Sequence, residues 1–132
     1  TAELDSTGGV TLTAKLGPVD TLAISGDGLV TVGGAADLAV GVTTIALSET
    51  ASLSLSAADA DLLAAVTGTG NAVTVTALED APTADLSGLE DALAVTAELD
   101  STGGVTLTAK LGPVDTLAIS GDGLVTVGGA AD

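Results

Sequence analysis

Apolar and polar residues alternate along most of this chain. The clearest stretches are "VTLTA" (10–14), "TLAIS" (21–25), "LVTV" (29–32), "TIAL" (44–47), "SLSLS" (52–56), "AVTVTA" (72–77) and "ALAVTA" (92–97). Val, Thr, Ile and Leu at period two, bounded by Gly, Asp and Pro, predict short strands with one face turned inward. A helical pattern surfaces only in "SAADADLLAAV" (56–66), long enough for about two turns and weak in apolar periodicity.

The strands repeat. Residues 1–37 equal residues 96–132 letter for letter, a period of 95. Within that period, rows of apolar residues recur at 30–33: Leu16, Leu47, Leu78 and Leu111; Leu22, Leu53, Leu86 and Leu117; Val30, Leu63, Leu93 and Val125. This spacing predicts units of about 32 residues with about three strands each, and three such units per 95-residue repeat. One architecture uses such a period directly: an all-β, parallel β-solenoid (β-helix), in which each unit is one coil and each strand pairs with its counterpart about 4.8 Å above or below. Residues 1–132 then form a single continuous segment, with 1–95 one full repeat and 96–132 the start of the next. Leu and Val stack inward, Thr and Ser face water, and Gly8–Gly9, Gly33–Gly34 and "GDG" (26–28) turn corners. The alternative is a tandem array of Ig-like β-sandwiches, for which a repeat of this size is also a suitable length. That fold carries no internal period of 32, and its core usually holds an aromatic residue.

Composition narrows the chemistry. The chain has no Cys, His, Met, Trp, Tyr or Phe, and its only bases are Lys15 and Lys110. Thiol and imidazole catalysis, disulfides and soft-metal sites are therefore excluded. A chain without Met is expected to be a processed product or a window of something longer. Eighteen acids against two bases give a net charge of −16. That argues against nucleic acid, which needs Lys and Arg to displace its counterions, and against anionic membrane surfaces. Nearly half the residues are apolar, so the chain is expected to fold, and no apolar run is long enough for a membrane span.

The acids supply the candidate sites. Asp27, Asp59, Asp91 and Asp122 follow one another at steps of 31–32, with Asp61 and Glu90 nearby. On a coil of that length they would stack at one corner, where the choice lies between a calcium ladder and a solvated acidic edge that repels neighbours. No full calcium-loop spacing is present, so the edge is favoured and no metal ligand is assigned. Asp5, Asp37, Asp100 and Asp132 read as turn formers, and "LEDAPTAD" (78–85) as an exposed loop where the coil bulges. Carboxylate pairs can hydrolyse glycosides, but a sugar groove without any aromatic platform is a poor one. Lys15 and Lys110 lack the neighbours of an activated nucleophile. "SGDG" and "TGTGN" are turn glycines, without the strand–loop–helix setting or the base of a phosphate loop. No enzyme activity and no cofactor are expected.

The phrases "LAISGDGLVTVGGAAD" and "LLAAVTGTGNAVTVTALEDAPTADLSGL" resemble the bacterial β-strand-repeat surface proteins, very long secreted chains similar in style to the repeat regions of S-layer proteins and giant adhesins. The resemblance covers essentially the whole chain in rhythm and composition. It implies secretion, calcium-rich surroundings and a structural role. The calcium nonapeptide of other secreted repeats is absent, because "GDGLVTV" lacks the second Asp, so calcium does not carry over.

The expectation is an extracellular, cell-surface or matrix rod or filament, built by continuous β-stacking and cut from a longer, uniform array. Its partners are other copies of itself and cations, with no nucleic acid and no membrane insertion. On coils of the expected length, the charge of −16 would lie on roughly 20 Å of rod. The competing reading is the stalk or binding module of an adhesin that grips sugar or ice. Its mark would be a flat, Asp-free array of outward threonines such as Thr11, Thr13, Thr74 and Thr76. A polysaccharide lyase is the remaining alternative, testable on acidic glycans.

Overall fold

Each alternating segment has one apolar row, and a strand with one apolar row must cover it. In the computed structural model, which describes residues 1–13, 20–33 and 42–128, every strand does so by pairing in parallel with strands about one turn away. The strands are β1 (Ala2–Asp5), β2 (Val10–Leu12), β3 (Thr21–Ser25), β4 (Leu29–Val32), β5 (Thr44–Leu47), β6 (Ser52–Ser56), β7 (Ala65–Thr67), β8 (Ala72–Thr76), β9 (Ala94–Asp100), β10 (Val105–Leu107), β11 (Thr116–Ser120) and β12 (Val125–Val127). The chain is an all-β parallel β-solenoid. Wholly parallel pairing rules out the sandwich, whose sheets are antiparallel.

The coil has three sides. The first carries β1, β3, β5 and β7, continued by a bridge from Val66 to Leu89. The second carries six strands in the order β2, β4, β6, β8, β9, β11, one for each of six turns. The third carries a short helix, α1 (Ala57–Leu62), then the 78–86 stretch, then β10 and β12. Asp61 of α1 accepts the Asp85 N–H, Asp85 bridges to Lys110, and β12 pairs with β10. Ser56 caps α1 by accepting the Asp59 N–H at 3.2 Å, and Ala57 and Ala60 turn inward. The 56–66 segment thus yields a single short helix before its chain returns to the first side.

Inward residues stack in columns. Ala2, Leu22, Ile45 and Val66 lie over one another on the first side, and Val10, Val30, Leu53, Val73 and Val95 on the second. Away from the outermost turns these columns are almost fully buried. With no aromatic ring in the chain, the described interior is narrow and aliphatic.

The register corrects the turn length. Ala2 pairs with Leu22, Leu22 with Ile45 and Ile45 with Val66, and the second side behaves alike. A turn is therefore little more than twenty residues long, well short of the expected thirty-two. Among the described residues, the early turns each show two well-formed strands joined by a corner. The longer rows have a different origin. Leu22 lies on the first side, Leu53 on the second, Leu86 on the third and Leu117 on the second again. Each step carries the row on by a turn and to a different side. Every side has inward apolar positions, so a spacing of about one and a half turns lands on apolar residues as readily as one turn does. Leu16 of the first row lies outside the described residues.

A second consequence concerns the identical segments. On the first side, the column that starts at Ala2 reaches Leu89 after four turns. Ala97, the copy of Ala2, comes shortly after Leu89 and pairs with Val75 on the second side. The 95-residue repeat is therefore four turns and one side, not three coils. Local pairing is kept, since Ala97 pairs with Leu117 as Ala2 does with Leu22, and Val105 with Val125 as Val10 does with Val30. What changes is the side: β1 and β3 build the first side, while their copies in β9 and β11 build the second. An interior of small aliphatic residues tolerates this rotation.

Corners need close backbone approach. A Cβ on Gly28 would stand 1.9 Å from the Ser6 carbonyl oxygen of the turn below, and Gly123 meets Ser101 in the same way. Gly28→Ala is expected to lower stability by about 2–3 kcal/mol, the usual cost of forced overpacking, as measured by urea unfolding. An unchanged midpoint would contradict this register.

Candidate functional site

Where the chain leaves the strand ladder at a corner, backbone N–H groups lose their partners and must find others. In this chain carboxylates take that role. Glu49 accepts the Gly26 N–H at 2.5 Å, Asp61 that of Asp85 at 2.6 Å, Glu79 that of Asp100 at 2.9 Å, Glu90 that of Gly68 at 3.0 Å and Asp115 that of Val95 at 2.9 Å. In every case donor and acceptor lie about one turn apart in the chain, so each bond clips one turn to the next. Glu49 adopts a left-handed backbone, φ +54°, an uncommon conformation for a residue with a side chain.

A second group of acids shapes its own corner. Asp5 Oδ1 accepts from the N–H and O–H of Thr7 at 2.9 and 2.6 Å, and Asp85 Oδ1 accepts from the N–H and O–H of Ser87 at 2.9 and 2.5 Å. Asp100 accepts the Thr102 N–H at 2.9 Å. These bonds stabilise the charged form and hold all three carboxyls below the usual carboxylate range. For Asp5 and Asp85 the hydroxyl contributes most, and for Asp100 the amide.

Uncharged groups do the same work inside. Ser6 Oγ accepts the Gly28 N–H at 3.0 Å, and Ser101 repeats this with Gly123 at 3.2 Å while donating to the Ser120 carbonyl at 2.7 Å. Buried Asn71 donates to the Ala51 and Glu49 carbonyls at 2.8 and 3.3 Å and accepts the Thr69 N–H at 3.0 Å. "TGTGN" is thus a corner closed by its Asn, a role invisible without knowing which carbonyls lie below it.

The Asp27 row is not brought together. Asp27 sits at the corner between β3 and β4, and Asp59 inside α1. Asp91 lies at the corner before β9, and Asp122 at the corner between β11 and β12. On turns of little more than twenty residues, a step of thirty-two cannot return to the same corner, so the stacked ladder does not assemble. Among the described residues no three carboxylates converge where a metal ion could sit. Of the other set, Asp5 and Asp100 form turns as expected, and Asp37 and Asp132 lie outside the described residues, as does Lys15. In the 78–85 stretch, Leu78 and Ala84 are buried, so this loop serves as a wall of the coil. Asp85 lies 3.8 Å from Lys110, and both are too exposed for the pair to add much stability. An open groove of about 390 Å³ is lined by residues that include Glu79, Glu98, Asp100, Ala118, Ile119 and Ser120.

The threonines are brought together. Thr11 pairs with Thr31, Thr31 with Ser54, Ser54 with Thr74, Thr74 with Thr96 and Thr96 with Thr116. A hydroxyl therefore stands outward on the second side at every one of six turns. Thr76 begins a neighbouring column over Ser56, whereas Thr13 follows the end of β2.

Comparison with protein-family models, curated proteins and solved structures gives no match.

Two outcomes follow from the corner chemistry. Asn71→Ala strands two carbonyls and an amide in or near the interior and is expected to cost about 3 kcal/mol in chemical unfolding. The Asp5, Asp85 and Asp100 turns carry stability that is present above the unfolded carboxylate pKa and is lost as pH falls through their depressed folded values. Protonation also relieves the repulsion of a chain with net charge −16, so the readout is local. Amide exchange at Thr7, Ser87 and Thr102 is expected to quicken, relative to the chain average, as those carboxyls titrate. No such change would contradict the assignment.

Proposed function

We propose that this chain is a segment of an extracellular structural rod, whose work is mechanical rather than catalytic and whose partners are further copies of the same repeat. The observation that carries the reading is a comparison of identical residues at two depths of the coil. Ile24, beneath β5, is 1% exposed, and its copy Ile119 is 52% exposed where no described strand covers the outer edge of β11. Val32 and Val127 differ in the same way, at 8% and 56%. The same residues are buried wherever a further turn covers them, and the hydrophobic gain of that cover favours stacking of turn on turn.

The acid coat suits this role. Six turns at about 4.8 Å each span about 25–30 Å, a little longer than coils of the expected length would give. A charge of −16 on that length keeps rods apart sideways and gathers cations, so association depends on salt and divalent ions. The resemblance to secreted bacterial repeat proteins supports placing the rod at a cell surface or in a matrix. The second reading, an adhesin stalk or binding module, is favoured by the hydroxyl column on the second side.

Chains carrying one, two and three extra copies of the long repeat, imaged by cryo-electron microscopy, test the rod. Four turns and one side per repeat predict a thin rod that lengthens by about 20 Å with each repeat. Beads about 40 Å apart, the spacing of sandwich domains, would overturn the reading.

A further inference from the structure

The second side of the coil differs from the rest of the surface in chemistry as well as in length. Its central outward column is Thr11, Thr31, Ser54, Thr74, Thr96 and Thr116, a hydroxyl at each turn, five of them paired with a methyl group. The columns beside it hold Leu29, Ser52, Ala72 and Ala94 on one flank, and Ser56 and Thr76 on the other. In a chain with 18 acids, no charge enters this field from β2 through β8; on β9, Glu98 continues the flank of Ser56 and Thr76, and Asp100 lies beyond the end of β8. Other acids stand at its rim: Asp27, Glu49 and Asp91 occupy the corners leading into these strands.

The fold does not require this arrangement. On the first side, Glu3, Ala23, Ala46 and Thr67 share one outward column, and Thr21, Thr44 and Ala65 another. Neither repeats one chemistry, although the strands pair equally well. The second-side column also survives the change of sequence phase: Thr96 and Thr116, copies of Thr1 and Thr21 from the other end of the repeat, extend the row begun by Thr11 and Thr31.

The hydroxyls of this column make no hydrogen bond to the described protein, so their donors and acceptors are turned to solvent. Parallel pairing sets them about 4.8 Å apart. The buried columns beneath, including Val30, Leu53, Leu55, Val73 and Val75, hold the backbone still. From β2 to β8, a rigid, repeating set of hydroxyls and methyls, without charges to impose their own hydration, presents water with sites at regular intervals. Ordering water on such a surface costs less entropy than on a mobile one. A polysaccharide chain would be gripped by aromatic platforms, and the chain has none. We infer that this face, centred on Thr31, Ser54, Thr74 and Thr96, binds the ordered lattice of ice. The inference does not rest on the rod, because one chain holds the whole face.

The test is nanolitre osmometry and ice-crystal shaping with the purified chain. The expected result is a freezing-point hysteresis with faceted crystals. Thr74→Glu, which puts a charge in the middle of the column, is expected to abolish both. Thr74→Tyr, a substitution that favours strands, is expected to do the same by bulk. Thr67→Glu, outward on the first side, is expected to keep both, with all three variants showing the same circular dichroism as the parent. An absence of hysteresis and shaping in the parent chain would overturn the inference. So would equal loss in Thr67→Glu, or retention on chitin or cellulose beads without any effect on ice.

Discussion

Everything in this molecule depends on the hydrogen bonds between one turn and the next. A parallel strand commits its backbone donors and acceptors to strands about one turn away in either direction. Once Ala2 is set against Leu22, each inward residue must stand over an inward residue, and aliphatic columns follow on each side. Ala2 and Val10, Leu22 and Val30, and Ile45 and Leu53 are each separated by the same step along the chain. That constant offset lets the two sides and their corner stack as one piece. The short interior, filled by Ala, Val, Leu and Ile, also explains why the same sequence can serve on either side.

The ladder leaves unpaired amides at the corners, and the acidity of the chain answers much of that need. Glu49, Asp61, Glu79, Glu90 and Asp115 each accept an amide from a neighbouring turn, and Asp5, Asp85 and Asp100 close their own turns. Carboxylates are strong acceptors for amides that have left the sheet. A low content of Lys and Arg leaves these carboxylates free for the backbone. Ser6, Asn71 and Ser101 do the same where a charge would be buried.

Much of this is legible in the sequence. Strands 21–25, 29–32, 44–47 and 52–56 are bounded correctly by it, because alternation and turn residues are local properties. Parallel stacking is also legible, from repetition without aromatic residues. The length of a turn is not. Alternation says which residues point inward but is silent about which strand lies above, and rows such as Leu22, Leu53 and Leu86 fit the wrong answer. The informative signal is the constant step from strand to strand across a short corner, which recurs in the first three turns and shortens only slightly after them. The misplaced Asp27 row follows from the same error. Thr11 and Thr74 stand outward as expected, yet the unbroken column through Thr31, Ser54, Thr96 and Thr116 needs the true register. β9 runs on to Asp100, beyond the expected end at 97, because the second copy of the repeat enters there as part of the same strand.

The central claim is the length of one turn, little more than twenty residues, and a pair of spin labels tests it most directly. Labels on cysteines at Thr11 and Thr31 lie on adjacent rungs, so their spectra should show the strong dipolar broadening of near neighbours about 5 Å apart along the backbone. Labels at Thr11 and Thr43, separated by the longer period of the leucine rows, fall on different sides of the coil and should show none. Broadening in the second pair and its absence in the first would contradict the account.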